Sequence, residues 1–329
     1  MKRLAALLVA AGMVLGAIYL RDRIDDDGAS TGGSELRMRC STDLVRVCDQ
    51  LAEGRDDLEV TVEEPGATAD RLAQLAAGED PGFDLWLGDV SWTGIVDDNR
   101  SRERRQGDVL GEPSEVLARS PVVLAVRTNP PPEVREACAE GVTWPCVGDA
   151  VGRGASLGLP APLRGDGLVV LAAAVASWLG TTDYATNDFE EPGFGSWFDA
   201  VSAPVGGPAV GDRTPLEAGV TAQGQFPLVG ALEADMVRVA RSRQVYEAIY
   251  PEPVVTSDLV LAPAQEFSVD EGIDRLGGAE RIGDVLSGAG WRVPGRGLPE
   301  GTDGAPALPE EQGTPAPGVL QALRDRWED

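Results

Sequence analysis

Three short stretches carry side chains suited to holding a small molecule. Ser41 and Thr42 follow a strand-like segment and stand where a helix begins, so their hydroxyls and the neighbouring amides could donate to a ligand or simply cap the helix. Gly88, Asp89 and Trp92 follow the segment FDLWLG (83–88); glycine permits close backbone approach, and Trp92 either walls a site or fills the core. Arg164, Gly165, Asp166 and Gly167 precede a helix, where amides and a guanidinium suit an oxyanion. Asp166 argues the other way. Facing the same space, as Asp43 and Asp89 could, it would repel an anion and favour a cationic or amine-bearing solute; as an N-cap it would do neither. Gln223 and Gln225 offer amides from a loop, or are surface residues.

Other chemistry is excluded or unsupported. The chain has no histidine, which removes Ser-His-Asp and Cys-His catalysis and imidazole metal ligands. No carboxylate pair stands at a persuasive spacing for hydrolysis, so the chain reads as a non-enzyme without cofactor or metal. The acidic stretch 183–191 lacks the EF-hand spacing, and the Gly-x-Gly elements around Arg153 and Arg296 fit neither the dinucleotide nor the P-loop pattern. With 54 acidic against 28 basic residues the net charge is −26, and no basic stripe exists to bind nucleic acid.

Such residues need elements to position them, and the sequence alternates strand and helix patterns from Leu36 onward. LRMRC (36–40) is a strand with one covered face, followed by a helix through Leu44, Val45, Cys48 and Leu51. LEVTVE (58–63) is a second strand, after which Thr68 can cap ADRLAQLAAG. A third strand at 83–88 completes a parallel arrangement with function at the carboxyl ends of the strands, at Ser41, Glu64 and Gly88. SPVVLAVR (120–127) is a buried strand, broken by prolines 130–132. Beyond lie a strand SLGLPAP (156–162), a helix GLVVLAAAVASWLG stopped by Gly180, a helix near 196–201, an apolar turn PLVGALEADMV, a strand VVTSDLVLA (254–262) and one amphipathic region IDRLGGAERIGDVLSGAGWR.

Lys2 and Arg3 precede a 17-residue apolar run, Leu4 to Leu20, an export signal that reads as an uncleaved signal anchor because no A-x-A site follows. The remainder is expected outside the cytoplasm, anchored by that segment or secreted after its cleavage. Disulfides persist there, and Cys40 with Cys48 and Cys138 with Cys146 form two close pairs whose local linkage is the simplest of the alternatives. Residues 24–34 read as a flexible tether, and the Pro/Gly-rich tail from 294 as mobile chain to about Pro317 before a short docking helix.

The order of these segments resembles the type 2 periplasmic-binding family, in its molybdate- and iron-binding-like branch of extracellular solute-binding proteins. CSTDL corresponds to a first ligand loop, FDLWLGDVSW to a second, RSPVVLAVRTNP to a lobe-crossing strand, PLRGDGLVVLAAAVASWLG to a second-lobe helix N-terminus, and LSGAGWR to a closing helix and turn, with Trp291. The resemblance implies an α/β, two-lobed fold, each lobe a mostly parallel sheet flanked by helices and joined by crossover strands. After a signal segment (1–23) and linker (24–34), lobe I would hold 35–127 and 252–293, lobe II 128–251, and the tail 294–329. It further implies capture of a small solute in an interlobe cleft for an ABC-type transporter permease. The rival expectation is a membrane-anchored envelope scaffold that keeps the fold and has lost solute binding.

Overall fold

The computed structural model of the chain describes residues 35–203, 213–221, 225–240, 245–302 and 304–328. The signal segment, the tether and Gln223 lie outside them. Alternation sets the first strand, β1 (Leu36–Ser41): Leu36, Met38 and Cys40 are buried, while Arg37 and Arg39 turn to the other face and meet Asp84 and Glu63. A 3-10 turn (Thr42–Leu44) leads to α1 (Val45–Ala52), and a disulfide from Cys40 to Cys48 fastens this helix to β1. β2 (Leu58–Glu63) is followed by α2 (Pro65–Gln74), and β3 (Leu85–Asp89) by α3 (Val90–Arg102). Proline at the first position starts α2 three residues earlier than Thr68. Thr68 is therefore no cap; it is buried within the helix, and its hydroxyl donates to Glu63 Oε2 at 2.6 Å.

β4 (Ala118–Arg127) crosses into the second half of the molecule. Next come α4 (Pro132–Ala137), α5 (Trp144–Gly152), β5 (Leu157–Gly158), α6 (Gly165–Leu179), α7 (Phe194–Ser202), α8 (Pro215–Thr221), β6 (Leu228–Leu232), α9 (Glu233–Ala240) and β7 (Tyr246–Ile249). The chain returns through β8 (Thr256–Pro263) to α10 (Val269–Arg275), α11 (Gly278–Gly288) and the terminal α12 (Pro317–Glu328). The second disulfide joins Cys138 to Cys146, from the end of α4 to α5.

The strands run in the order β2-β1-β3-β8-β4-β6-β5, with β7 also paired to β4. β1 is parallel to β2 and β3, and β8 is antiparallel to β3. β4 serves both halves: Ala118–Pro121 pairs with β8, and Val122–Val126 pairs with β6. In the second half β4 is antiparallel to β6 and β7, and β5 is parallel to β6. Helix α6 is apolar on all sides and buried from Gly165 to Ala176, as a helix lodged between sheets must be. It touches β3 and β8 of the first half and β4 and β6 of the second. Gly180, at φ 72°, ends it as the sequence predicts.

Several elements differ from expectation for identifiable reasons. The strand expected over 156–162 is reduced to Leu157–Gly158, because Pro160 and Pro162 have no N–H to donate. The apolar turn PLVGALEADMV is instead the buried strand β6 and the start of α9. The last amphipathic region is two helices, broken at Gly277 and Gly278, with φ of 98° and 87°. The tail is held along its length: Arg292 Nη1 donates to Pro306 O (2.7 Å), Arg119 Nη1 to Pro309 O (2.9 Å) and Thr256 N to Gln312 O (2.9 Å). Among the described residues no helix is long and apolar enough to cross a membrane.

Candidate functional site

The carboxyl ends of β1 and β2 face the start of α6 across a cleft of about 620 Å³. From the first half the cleft receives Thr42 and Asp43 on the 3-10 turn, Arg46 on α1, Glu64 after β2, and Trp291 beyond α11. From the second it receives Arg164 at the mouth of α6, Glu217 on α8, and Asp235 and Arg238 on α9. Val45, Val62, Leu232 and Ala234 supply apolar wall. The two sides touch directly: Gly66 N donates to Leu163 O at 3.0 Å, and a Cβ on Gly66 would come within 2.6 Å of Leu163 Cδ2. A larger residue there would have to move the Leu163 side chain.

Charge is unevenly satisfied around the cleft. Arg238 is fully engaged, donating to Glu217 Oε1 and, at 2.6 Å, to Asp235 Oδ1. Burial works against ionisation of Glu217, yet Arg238 holds its carboxyl below the usual range. Thr42 Oγ1 donates to Glu64 Oε2 at 3.0 Å, and Arg46 stands 3.8 Å from Glu217 across the mouth. Asp43 and Asp166 are different. Asp43 reaches over the start of α6, so close that a Cβ on Gly165 would lie 2.2 Å from its Oδ1. Asp166, the second residue of α6, is 2% exposed. Oδ1 of each is buried with no hydrogen-bond partner among the described residues, and so is Arg164 Nε. Arg164 lies beyond hydrogen-bond reach of its neighbours, its Nε 3.8 Å from Asp166 Oδ1 and its Nη1 3.9 Å from Glu64 Oε1.

These surroundings displace both carboxyls upward. Burial, reinforced by the charge of Asp166, pushes Asp43 well above the usual carboxylate range. Burial and the charge of Asp235 push Asp166 up to about 7, against the pull of Arg164. Four carboxylates, on Asp43, Glu64, Glu217 and Asp235, thus line the cleft with three guanidiniums, on Arg46, Arg164 and Arg238, and the buried Asp166 stands beside them. Among the described residues no group of three or more acidic, cysteine or histidine side chains could hold a metal ion.

The residues singled out in the sequence separate into two sets. Thr42 and Arg164 line the cleft, while Gly165 and Asp166 are buried beside it at the start of α6. Gly167 is pressed against the backbone, where a Cβ would lie 1.9 Å from Ala161 O, and it shapes the start of α6. Ser41, Gly88, Asp89 and Trp92 are buried and do not line the cleft. Ser41 Oγ lies 2.8 Å from where a Gly88 Cβ would stand, and Trp92 is fully buried in the core. Asp89 caps α3 through Ser91 N (2.8 Å) and ties it to β8, accepting from Ser257 Oγ (2.7 Å) and Asp258 N (2.9 Å). The tail's Gln312 Nε2 also donates to it, at 3.0 and 2.9 Å. Gln225, partly buried before β6, is not a wall of the cleft. Arg46, Glu217, Asp235, Arg238 and Trp291 join the site through tertiary contact; of these Asp235 and Trp291 belonged to segments noted beforehand, PLVGALEADMV and LSGAGWR, and only Trp291 was itself singled out.

No protein-family model matches the chain, and neither does any curated protein. Solved structures do. The periplasmic binding protein P5PA aligns with a TM-score of 0.58 at 12% identity, covering 90% of this chain and 98% of that one. The periplasmic binding protein AfuA from Actinobacillus pleuropneumoniae, solved with fructose-6-phosphate bound, gives 0.57 at 12%, with the same coverage. IdiA (FutA) from Trichodesmium, in complex with iron and citrate, gives 0.52 at 11%, covering 89% and 96%. At these identities the likeness concerns architecture, and the chain has the two-lobed, α/β fold of periplasmic binding proteins.

Proposed function

We propose that the chain is an extracytoplasmic solute-binding protein that captures a small polar solute between its lobes and delivers it to an ABC-type permease. The lobes would comprise 35–127 with 252–293 and 128–251, and residues 1–23 would anchor the chain or direct its export. The observation that carries this reading is the approach, from both lobes, of buried polar atoms without a hydrogen-bond partner to one cleft: Asp43 Oδ1 and Arg164 Nε of its lining residues, and Asp166 Oδ1 beside them. A buried polar group without a partner costs free energy, about 1–3 kcal/mol, which a bound solute can return. The cleft's volume falls in the usual range for small-molecule sites, roughly 300–1,000 Å³. Because the polar groups come from two lobes, a solute touching both gains contacts that neither lobe offers by itself, the condition for hinged capture. The two disulfides agree with an oxidising compartment.

The test is thermal unfolding of the full chain across a panel of oxyanions, metal ions, amino acids, sugars and amines. A ligand specific to the folded state raises its melting temperature in a saturable way. One responding class is expected, and silence across the whole panel would contradict capture. A second reading, an anchored envelope scaffold that no longer binds solute, draws on the direct contact of the lobes at Gly66 and Leu163 and on the tail that joins them. Silence would favour it.

A further inference from the structure

We propose that the solute carries a protonated primary amine, held at Asp43 on the cleft wall, with the buried carboxyl of Asp166 on the other lobe behind it. This rests on the reading of the cleft as a solute site and names the chemistry of its ligand. Each of these carboxylates has a buried oxygen without a donor, and Asp166 is 2% exposed, so water cannot readily serve it. The guanidiniums do not answer them: Arg238 is spent on Glu217 and Asp235, Arg46 stands at the mouth 3.8 Å from Glu217, and Arg164 is 3.8 Å from Asp166. An ammonium brings three N–H donors and a positive charge, which the two carboxylates need together. An anion would add a further negative charge beside carboxylates that already outnumber their partners, and would compete for Arg46 and Arg164, each already 3.8 Å from a carboxylate. A neutral polyol could donate hydrogen bonds and would leave the charge uncorrected. Since Asp43 and Asp166 belong to different lobes, their charges act together on the amine only while the lobes are apposed, so the same group supplies selectivity and closure.

The experiment is isothermal titration of the full chain at pH 8 with four chain-matched probes: butane-1,4-diamine, 4-aminobutanoate, butane-1,4-diol and butanedioate. Saturable binding of at least one amine is expected, weakened tenfold or more in Asp166→Asn and in Asp43→Asn, and undiminished in Arg105→Gln, a surface variant outside the cleft. Circular dichroism melts establish that each variant is folded. Binding of the diol or of butanedioate without either amine would overturn the amine assignment and leave solute capture standing. Retention of amine binding in both aspartate variants would also overturn it. Silence from all four probes rejects the amine, and silence in the wider thermal panel as well removes solute capture with it.

Discussion

Asp166 occupies a position that a helix ordinarily favours for a carboxylate, the second residue of α6, where backbone amides and the helix dipole stabilise negative charge. Here burial and the neighbouring Asp235 prevail, because Arg164 is too distant to donate, and the carboxyl is pushed up to about 7. A carboxyl raised in the folded state binds more protons folded than unfolded, between its unfolded value of about 4 and about 7. Stability therefore falls as pH rises through that interval. Asp43 on the facing turn, and Asp89 and Asp258 at the β3–β8 junction, are displaced in the same direction by burial, and no histidine titrates in the window to mask them. Glu64, Arg164 and Asp235 also face Asp166, and Arg164 alone of these favours its ionisation. The melting temperature should climb by several degrees from pH 8 to pH 5, and Asp166→Asn should flatten the climb while raising stability at pH 8. A wild-type melting temperature that falls on acidification would refute this. The sequence made Arg164, Gly165 and Asp166 visible because they open a helix, and Asp43 visible only as a doubt about charge. Glu217, Asp235 and Arg238 were invisible, since their meaning comes from a partner on another element.

At the scale of elements, hydrophobic period and glycine placement fixed β1, α1, β4 and α6, and with them the loops that meet at the cleft. What local pattern could not supply was context. LVGAL has no turn or alternation to distinguish it from a buried loop, and its identity as β6 comes from pairing with β4. The start of α6 shows how closely elements constrain single positions. A Cβ at Gly167 would lie 1.9 Å from the carbonyl oxygen of Ala161, which belongs to rigid backbone. Gly167→Ala should destabilise the chain by about 1–3 kcal/mol in urea unfolding, the usual cost of overpacking. Gly180→Ala meets open space and suffers only its left-handed backbone, φ 72°, about 1–2 kcal/mol. A neutral Gly167→Ala would mean that α6 starts elsewhere. Removing the buried Cys40–Cys48 bridge in the paired Cys40→Ala, Cys48→Ala variant should cost about 2–3 kcal/mol by freeing a short loop, measurable as a lower urea midpoint.

The whole molecule is bound together at the back as well as apposed at the cleft. Helix α12 packs on α3 and α6; its Arg324 pairs with Asp70 on α2, and its Arg326 lies over Phe194 and Phe198 on α7. Composition predicted mobile chain before this helix, and rightly registered the shortage of apolar residues between 294 and 316. It could not register that the backbone carbonyls of Pro306 and Pro309 are held by arginines, or that Gln312 completes the buried cluster at Asp89. Removing residues 312–329 should lower the melting temperature by several degrees, since Leu320 and Leu323 are buried and each side chain contributes about 1.5–3 kcal/mol. An unchanged melting temperature would show that the tail does not stabilise the two lobes.

Capture between the lobes is tested most directly by hydrogen–deuterium exchange of the full chain, with and without the compound that gives the largest thermal shift. The account predicts slowed exchange in both lobes at once, at 42–47 and 62–66 in the first and at 164–170 and 233–238 in the second. Protection confined to one lobe, or lying away from the cleft, would contradict it.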